Sequence, residues 1–465
     1  MSLIEDHLVR LKKDAEERAL RRGAEKAAAP HRGEMKGVLE VGASRSAELA
    51  PSASSFENLR AAFGQFDYEQ GDMGSFLELL FAGASRVGAS DVHFEPEEGG
   101  ARLRLRVDGL LHDAAALPVS FYRLLSSRMK IVGGMKLNAD RPQDGRFTVR
   151  FPEKDVEVRL SSAPAHFGET FVARLLDPSA IAISMEGLGL RPDDLAIVME
   201  EIARPNGMVI NTGPTGSGKT TTLYAFLKKR SRPEEKIITI EDPIEYSLPG
   251  IEQTQANPDA GYSFATGLRA IVRQDPDVIL VGEIRDAETA AIAIQAALTG
   301  HLVFSTVHSN DAAGAVPRLI DLGVGAANIG PAINCIIGQR LVRRLCDACK
   351  RPAAPDASRD AAVRKIIEGL PARAQAEGDP EISLYEPAGC PSCAGEGYRG
   401  RIAIFEIMRV DEAMGAAIAS GAGESEIRKI CEGQGMASLQ GDGILKAVRG
   451  ITTVEEIEAA TGKIA

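Results

Sequence analysis

No stretch of the sequence approaches 18 uninterrupted apolar residues, and the N-terminus lacks the basic-then-apolar pattern of a secretory leader. Neither a membrane-spanning helix nor export is expected. Basic charge is also short: 54 Lys and Arg against 65 Asp and Glu give a formal net charge of −11. Phosphate backbones are held mainly by Lys and Arg, so this balance argues against a general nucleic-acid binder while leaving room for a local basic patch. Cysteine is scarce, six in 465 residues, and in a cytosolic setting six thiols are free or metal-bound rather than paired. What is present is the composition of a globular protein, 44% hydrophobic and 26% charged, on a chain longer than one core usually supports.

The strongest local signal is Met208-Val-Ile-Asn-Thr-Gly-Pro-Thr-Gly-Ser-Gly-Lys-Thr-Thr-Thr-Leu-Tyr224. An apolar run enters Gly213, Pro214, Thr215, Gly216, Ser217, Gly218, Lys219 and Thr220, a full match to the GxxxxGK[ST] pattern, with Thr221 beside it. A strand ending in such a loop and passing straight into a helix aims backbone N–H groups and the positive end of the helix dipole at one anion. Lys219 is then placed against the β- and γ-phosphates of a nucleoside triphosphate, and the Thr220 hydroxyl on its magnesium ion.

Taken in order, residues 1–60 read as an arm. From Ser2 to about Ala29 the chain is rich in Glu, Lys, Arg and Ala, with Ile4, Leu8, Leu11 and Ala15 at helical spacing. This is a charged helix that either docks on a partner or lies solvated. Residues 30–56 carry Pro, Gly, Ser and Ala without periodicity and read as a flexible linker. Residues 61–180 read as a small α/β domain, with half-buried strands at Asp91–Glu95 and Leu103–Val107, a turn at Asp108-Gly109, a helix near 121–132 and three later strands. Its arginines Arg141, Arg146 and Arg159 are either solvated or donors to a phosphate. Residues 181–343 alternate strands with helices, which implies a parallel sheet with ligands at the carboxyl ends of its strands.

Three strand ends there carry acids or histidines: Ile237 to Glu245, Asp277 to Asp286 with Glu283, and Gly300 to Asp311 with His301 and His308. Phosphoanhydride hydrolysis needs an oriented water and neutralised charge on the γ-phosphoryl oxygens. Glu245 or Glu283 can orient that water, and a histidine can register the γ-phosphate. Singly, each reads equally as a solvated carboxylate or a packed imidazole.

Together these motifs resemble the secretion-superfamily ATPases that drive type II secretion and type IV pilus assembly, the GspE/PilB type. The resemblance runs from Ala89-Ser-Asp-Val-His-Phe-Glu-Pro96, Arg106-Val-Asp-Gly109 and Pro142-Gln-Asp-Gly-Arg146 through Glu241-Asp-Pro-Ile-Glu245 and Gly267 to Asp286, covering about residues 70–465. It implies a RecA-like core, ATP and Mg²⁺, a homo-hexameric ring, Glu245 as the water-activating acid, Glu283 as the second, magnesium-side acid, and His301 with His308 as a histidine box. It also implies arginines reaching a nucleotide across domain or subunit boundaries. Matching positions are Arg269, Arg273 and Arg285 in the core and Arg141, Arg146 and Arg159 upstream. The chain departs from the pattern at Asn211, commonly apolar, and in having only about 60 polar residues where members carry a folded docking domain. Implied partners are inner-membrane platform proteins, with no nucleic acid, and a cytoplasmic location recruited to the membrane's inner face.

Cys346-Asp-Ala-Cys349 and Cys390-Pro-Ser-Cys393 are two CxxC pairs, enough for a closed structural zinc site; redox dithiols or chance are the alternatives. The fold class expected is therefore α/β: a RecA-like P-loop NTPase core, a preceding smaller α/β (PAS-like) domain, a zinc insertion over 344–400 and a helical part over 401–465. The function expected is a motor that extrudes pilin or pseudopilin subunits. A nucleotide-dependent switch and a nucleic-acid translocase on the same core are the rivals.

Overall fold

The computed structural model describes residues 37–52, 54–138, 141–178, 183–375, 382–393 and 395–464. The charged helix expected over 2–29 lies outside the described residues, as does the linker up to 36. Two seven-stranded sheets organise the rest.

The first sheet comprises β1 (Val38–Glu40), β2 (Ala89–Glu97), β3 (Gly100–Val107), β4 (Leu110–Pro118), β5 (Gln143–Arg150), β6 (Asp155–Ala165) and β7 (Gly168–Leu176), in the order β1-β5-β6-β7-β2-β3-β4. The alternation read in β2 and β3 gives it one dry face. Val92, Phe94, Leu103 and Leu105 are buried with Phe76 and Leu80 of the helix Met73–Arg86 and with Phe121 and Leu125 of the helix Val119–Val132. On the other face the register lines up Arg146, Arg159, Arg174, Asp91 and Arg106 in one row across five strands. Asp108 and Gly109, at φ 46° and 91°, close a two-residue hairpin in which both turn residues need positive φ. Its second arm, β4, escaped the sequence reading because Leu110-Leu-His-Asp-Ala-Ala-Ala-Leu-Pro has no β-branched residue.

The linker expected over 30–56 is corrected by this sheet. β1 pairs in parallel with β5, and the helix Ala43–Leu49 puts Leu49 into the same core as Val41. Elements this short leave no periodic signal, and their stability comes from tertiary partners.

The second sheet comprises β8 (Gly207–Thr212), β9 (Ile237–Glu241), β10 (Glu252–Gln255), β11 (Val278–Val281), β12 (Leu302–Val307), β13 (Ile333–Leu345) and β16 (Tyr398–Arg409), in the order β10-β9-β11-β12-β8-β13-β16. All pairs are parallel except β13 with β16. Every residue of β8, β9, β11 and β12 is buried, as a sheet covered on both faces requires. Helices Phe264–Val272, Ala287–Leu298 and Ala312–Asp321 cover one face and helices Pro192–Ala203 and Lys219–Arg230 the other. The remaining strands, β14 (Arg351–Pro352) and β15 (Tyr385–Glu386), form a two-stranded ribbon in the cysteine-bearing insertion. That insertion leaves the sheet after β13 and returns into β16, and four short helices follow to Thr461. No helix among the described residues is long and apolar enough to cross a membrane.

Candidate nucleotide site and metal centre

The loop after β8 turns into the helix Lys219–Arg230 at Gly218, whose φ of 89° suits glycine and which supplies no side-chain cap. The first-turn N–H groups are thus left without a capping side chain at the carboxyl edge of the sheet. A Cβ at Gly213 would lie 2.3 Å from the Gln339 carbonyl oxygen, so only glycine lets the chain pass. The Lys219 Nζ donates to the carbonyls of Gly213 at 2.8 Å and Pro214 at 3.0 Å. Burial lowers its pKa, while Glu283 opposes that shift. The buried Ser217 hydroxyl has no protein partner. A cradle of uncapped N–H groups, an ammonium and an orphaned hydroxyl fits a polyphosphate.

Neighbouring strand ends bring acids to the same edge. Glu283, two residues past β11, accepts from His308 Nε2 at 3.0 Å and from Arg285 Nη2. Burial pushes its carboxyl up, and the hydrogen bonds from Arg285 and His308 outweigh that and leave it below the ordinary value. Glu241, the last residue of β9, is buried and accepts from Tyr224, Thr239 and Gln253, so it braces the loop rather than facing a ligand.

His301, expected with His308 in one histidine box, lies at the other edge of the sheet. It precedes β12, donates from Nδ1 to the Ala296 carbonyl at 3.0 Å, and neighbours Gly207 at the start of β8, whereas His308 follows the strand beside Thr212. Six residues of strand separate these ends by about 20 Å. The signal was available, because in a parallel sheet ligands lie at the carboxyl ends of strands.

Between the two sheets lies a cleft of about 810 Å³ lined by Arg146, Arg159, Arg174, Asp242, Glu245 and Tyr246 among others. Arg159 bonds Glu245 at 3.0 Å and the Ile244 carbonyl, so two residues expected on the nucleotide hold each other. Arg174, which the sequence reading passed over, is in the same row and is fixed by Asp91 at 3.0 Å. The row itself was invisible without the strand register. Arg141 is exposed before β5. Arg269, on the helix Phe264–Val272, pairs with Glu288 at 2.5 Å, and Arg273, the residue that caps that helix before the chain enters β11, is exposed.

The four cysteines meet because β13 and β16 are paired: Cys346 follows one, Cys393 precedes the other, and Cys346 N donates to the Gly397 carbonyl at 2.9 Å. Sulfur separations are 3.8 Å for Cys346–Cys390 and 3.7 Å for Cys349–Cys393 and Cys390–Cys393. A tetrahedron with Zn–S of about 2.3 Å has edges of about 3.8 Å, so the donor set fits zinc. Backbone N–H groups of Cys390 and Gly397, each 3.2 Å from Cys393 Sγ, suit a thiolate.

The family model described as type II/IV secretion system protein matches residues 69–459. The chain belongs to this family. It is 43% identical over 419 residues to the type IV pilus assembly ATPase PilB of Thermus thermophilus, covering 89% of this chain and 46% of that protein. It is 41% identical over 391 residues to PilB of Acinetobacter baylyi, covering 83% of this chain and 66% of that one. Identity to the type II secretion system ATPase E of Vibrio cholerae is 43% over 386 residues, covering 83% and 74%. The chain thus spans about half to two thirds of the length of the two pilus relatives.

The fold of this secretion-family chain is shared with the Legionella pneumophila ATPase DotB, at TM-score 0.61 and 22% identity over 83% of this chain and 94% of that one. It is also shared with the pilus retraction motor PilT with bound ADP, at TM-score 0.55 and 24% identity over 83% and 96%. The family match takes in the phosphate loop, all three acid- or histidine-bearing strand ends and the four cysteines.

Proposed function

We infer that the chain is an ATP hydrolase of type II secretion or type IV pilus assembly, working as a homo-hexamer in the cytoplasm on inner-membrane platform proteins and extruding pilin or pseudopilin subunits. The observation that carries this reading is the meeting of the phosphate loop with the Glu283–His308 pair at one sheet edge, beside a cleft whose far wall is a row of arginines. Its working units are the arginine-bearing domain, the ATPase core, the metal insertion and the C-terminal part.

On this reading the loop's N–H groups hold the β- and γ-phosphates, and Lys219 exchanges the Gly213 and Pro214 carbonyls for phosphate oxygens. Thr220 and Glu283 hold magnesium, which neutralises phosphate charge when bound. Glu245 orients the attacking water after releasing Arg159, which turns to the phosphoryl oxygens together with Arg146. His308, bonded to Glu283, couples the γ-phosphate to the loop that follows β12. Arg285 bridges Glu283 toward Asp242, while Arg269 and Arg273 serve a neighbouring subunit's site. Cys346, Cys349, Cys390 and Cys393 hold a structural zinc.

The test is magnesium-dependent ATP turnover by the full chain, alone and with its platform partner. Wild type is expected to turn over and Glu283→Gln to lose turnover about 100-fold while still binding nucleotide. No turnover by the oligomer would refute the motor. Stimulation by single-stranded DNA would favour a translocase.

A further inference from the structure

β8 is a fully buried strand, yet its fifth position, two residues before Gly213, is filled by polar Asn211. An unpaired amide there would be costly. The β8–β13 register pairs Ile337 with Asn211 and Gly338 with Thr212, which sets the next residue, Gln339, alongside Gly213 where the phosphate loop begins. The Gln339 Oε1 accepts from Asn211 Nδ2 at 2.7 Å and from Thr222 Oγ1 at 2.9 Å. One donor is on the strand entering the loop and the other on the helix leaving it. All three side chains are buried, at 0%, 2% and 0% exposure for Asn211, Gln339 and Thr222.

Gln339 also moulds the loop between these donors. Its carbonyl oxygen lies 2.3 Å from where a Cβ of Gly213 would be, and its Nε2 lies 2.9 Å from that position at Gly218. One residue of β13 therefore touches both ends of the phosphate loop and ties its two stems to a single acceptor.

We propose that Gln339, with Asn211 and Thr222, is a positioning residue for phosphate binding: it fixes the loop's N–H groups in their receiving arrangement before nucleotide arrives. The proposal rests on the reading of Gly213 to Thr220 as a nucleotide site. A loop ordered in advance gives up little freedom on binding, whereas an untied loop must be ordered by the ligand. The effect thus falls on affinity and KM, while turnover of the bound complex is spared.

The test is binding of a fluorescent ATP analogue with magnesium, together with KM and kcat, on the full chain and three variants. Gln339→Met removes the shared acceptor at similar volume and is expected to raise Kd and KM about tenfold with kcat within about twofold, on the scale of two lost hydrogen bonds. Thr222→Val keeps the volume but loses the hydroxyl and is expected to bind about fivefold more weakly, whereas Thr222→Ser keeps the hydroxyl and binds like wild type. Pure packing would reverse that order, because Ser loses the methyl and Val keeps it. The proposal is overturned if both Gln339→Met and Thr222→Val bind like wild type, or if Ser is the weaker of the Thr222 variants. Should Gln339→Met fail to fold, the Thr222 pair decides. A wild-type chain that binds no nucleotide refutes the nucleotide reading itself, and the proposal with it.

Discussion

Arg159 joins the two sheets, and replacing it tests whether that contact holds the cleft in the arrangement described. Its guanidinium bonds Glu245 at 3.0 Å and the Ile244 carbonyl, and the two charged side chains are 24% and 27% exposed. An exposed pair is worth about 0–1 kcal/mol and breaking a fully buried one costs about 3–5 kcal/mol, so solvent screening at a quarter exposure places this contact near 1.5–2 kcal/mol. Arg159→Ala should then lower the ratio of joined to separated states roughly ten- to thirtyfold. Hydrogen exchange of the nucleotide-free full chain reads this directly at the amides of residues 244–247. Exchange there should speed up about tenfold; Glu245→Gln, which leaves the Ile244 carbonyl bond in place, should speed it less, and the double variant should add little to Arg159→Ala, since every lost bond belongs to one guanidinium. Unchanged exchange in Arg159→Ala, or fully additive effects, would refute the contact as the cleft's fastening. On the function proposed above, ATP then competes with Glu245 for Arg159.

Other consequences can be measured independently. Cys346→Ser should lose bound zinc, assayed by elemental analysis, and unfold its C-terminal part more readily; full stability without metal would sink the zinc assignment. Glu283 is held below its ordinary carboxyl value, with burial opposing and the Arg285 and His308 bonds prevailing. A lowered folded-state pKa adds stability above the unfolded value and loses it as pH falls through the folded one, so the urea-stability gap between wild type and Glu283→Gln should close below about pH 4. A gap independent of pH would contradict that. Asp442, buried under β16, takes Arg191 at 3.2 Å, Lys446 and the Phe405 N–H at 2.8 Å. Asp442→Ala leaves the buried Lys446 without its carboxylate, while Arg191 keeps Asp193 and Asp194, and should cost about 3 kcal/mol in denaturant unfolding; a loss under about 1 kcal/mol would refute that.

Much of the site was readable because its chemistry is contiguous. The residues from Gly213 to Thr220 work as one peptide at one helix start, so their order alone specifies an anion cradle. The spacing of Cys346, Cys349, Cys390 and Cys393 likewise contains the ligand count. Alternation in β2 and β3 and the apolar runs of β8, β11 and β12 fixed strand type, because periodicity and burial are local properties of a chain. β1 and the helix Ala43–Leu49 read as linker in the sequence because they depend on distant partners.

Sequence alone thus determined that a polyphosphate loop, a parallel sheet and a tetracysteine set exist here. Tertiary structure decided which side chains share them. Strand direction sent His301 to one edge and His308 to the other. Strand register assembled the row Arg146, Arg159 and Arg174, and it put Gln339 under Gly213 from more than a hundred residues away. Contacts of that kind depend on pairing between segments whose separation along the chain carries no record of which residues will meet.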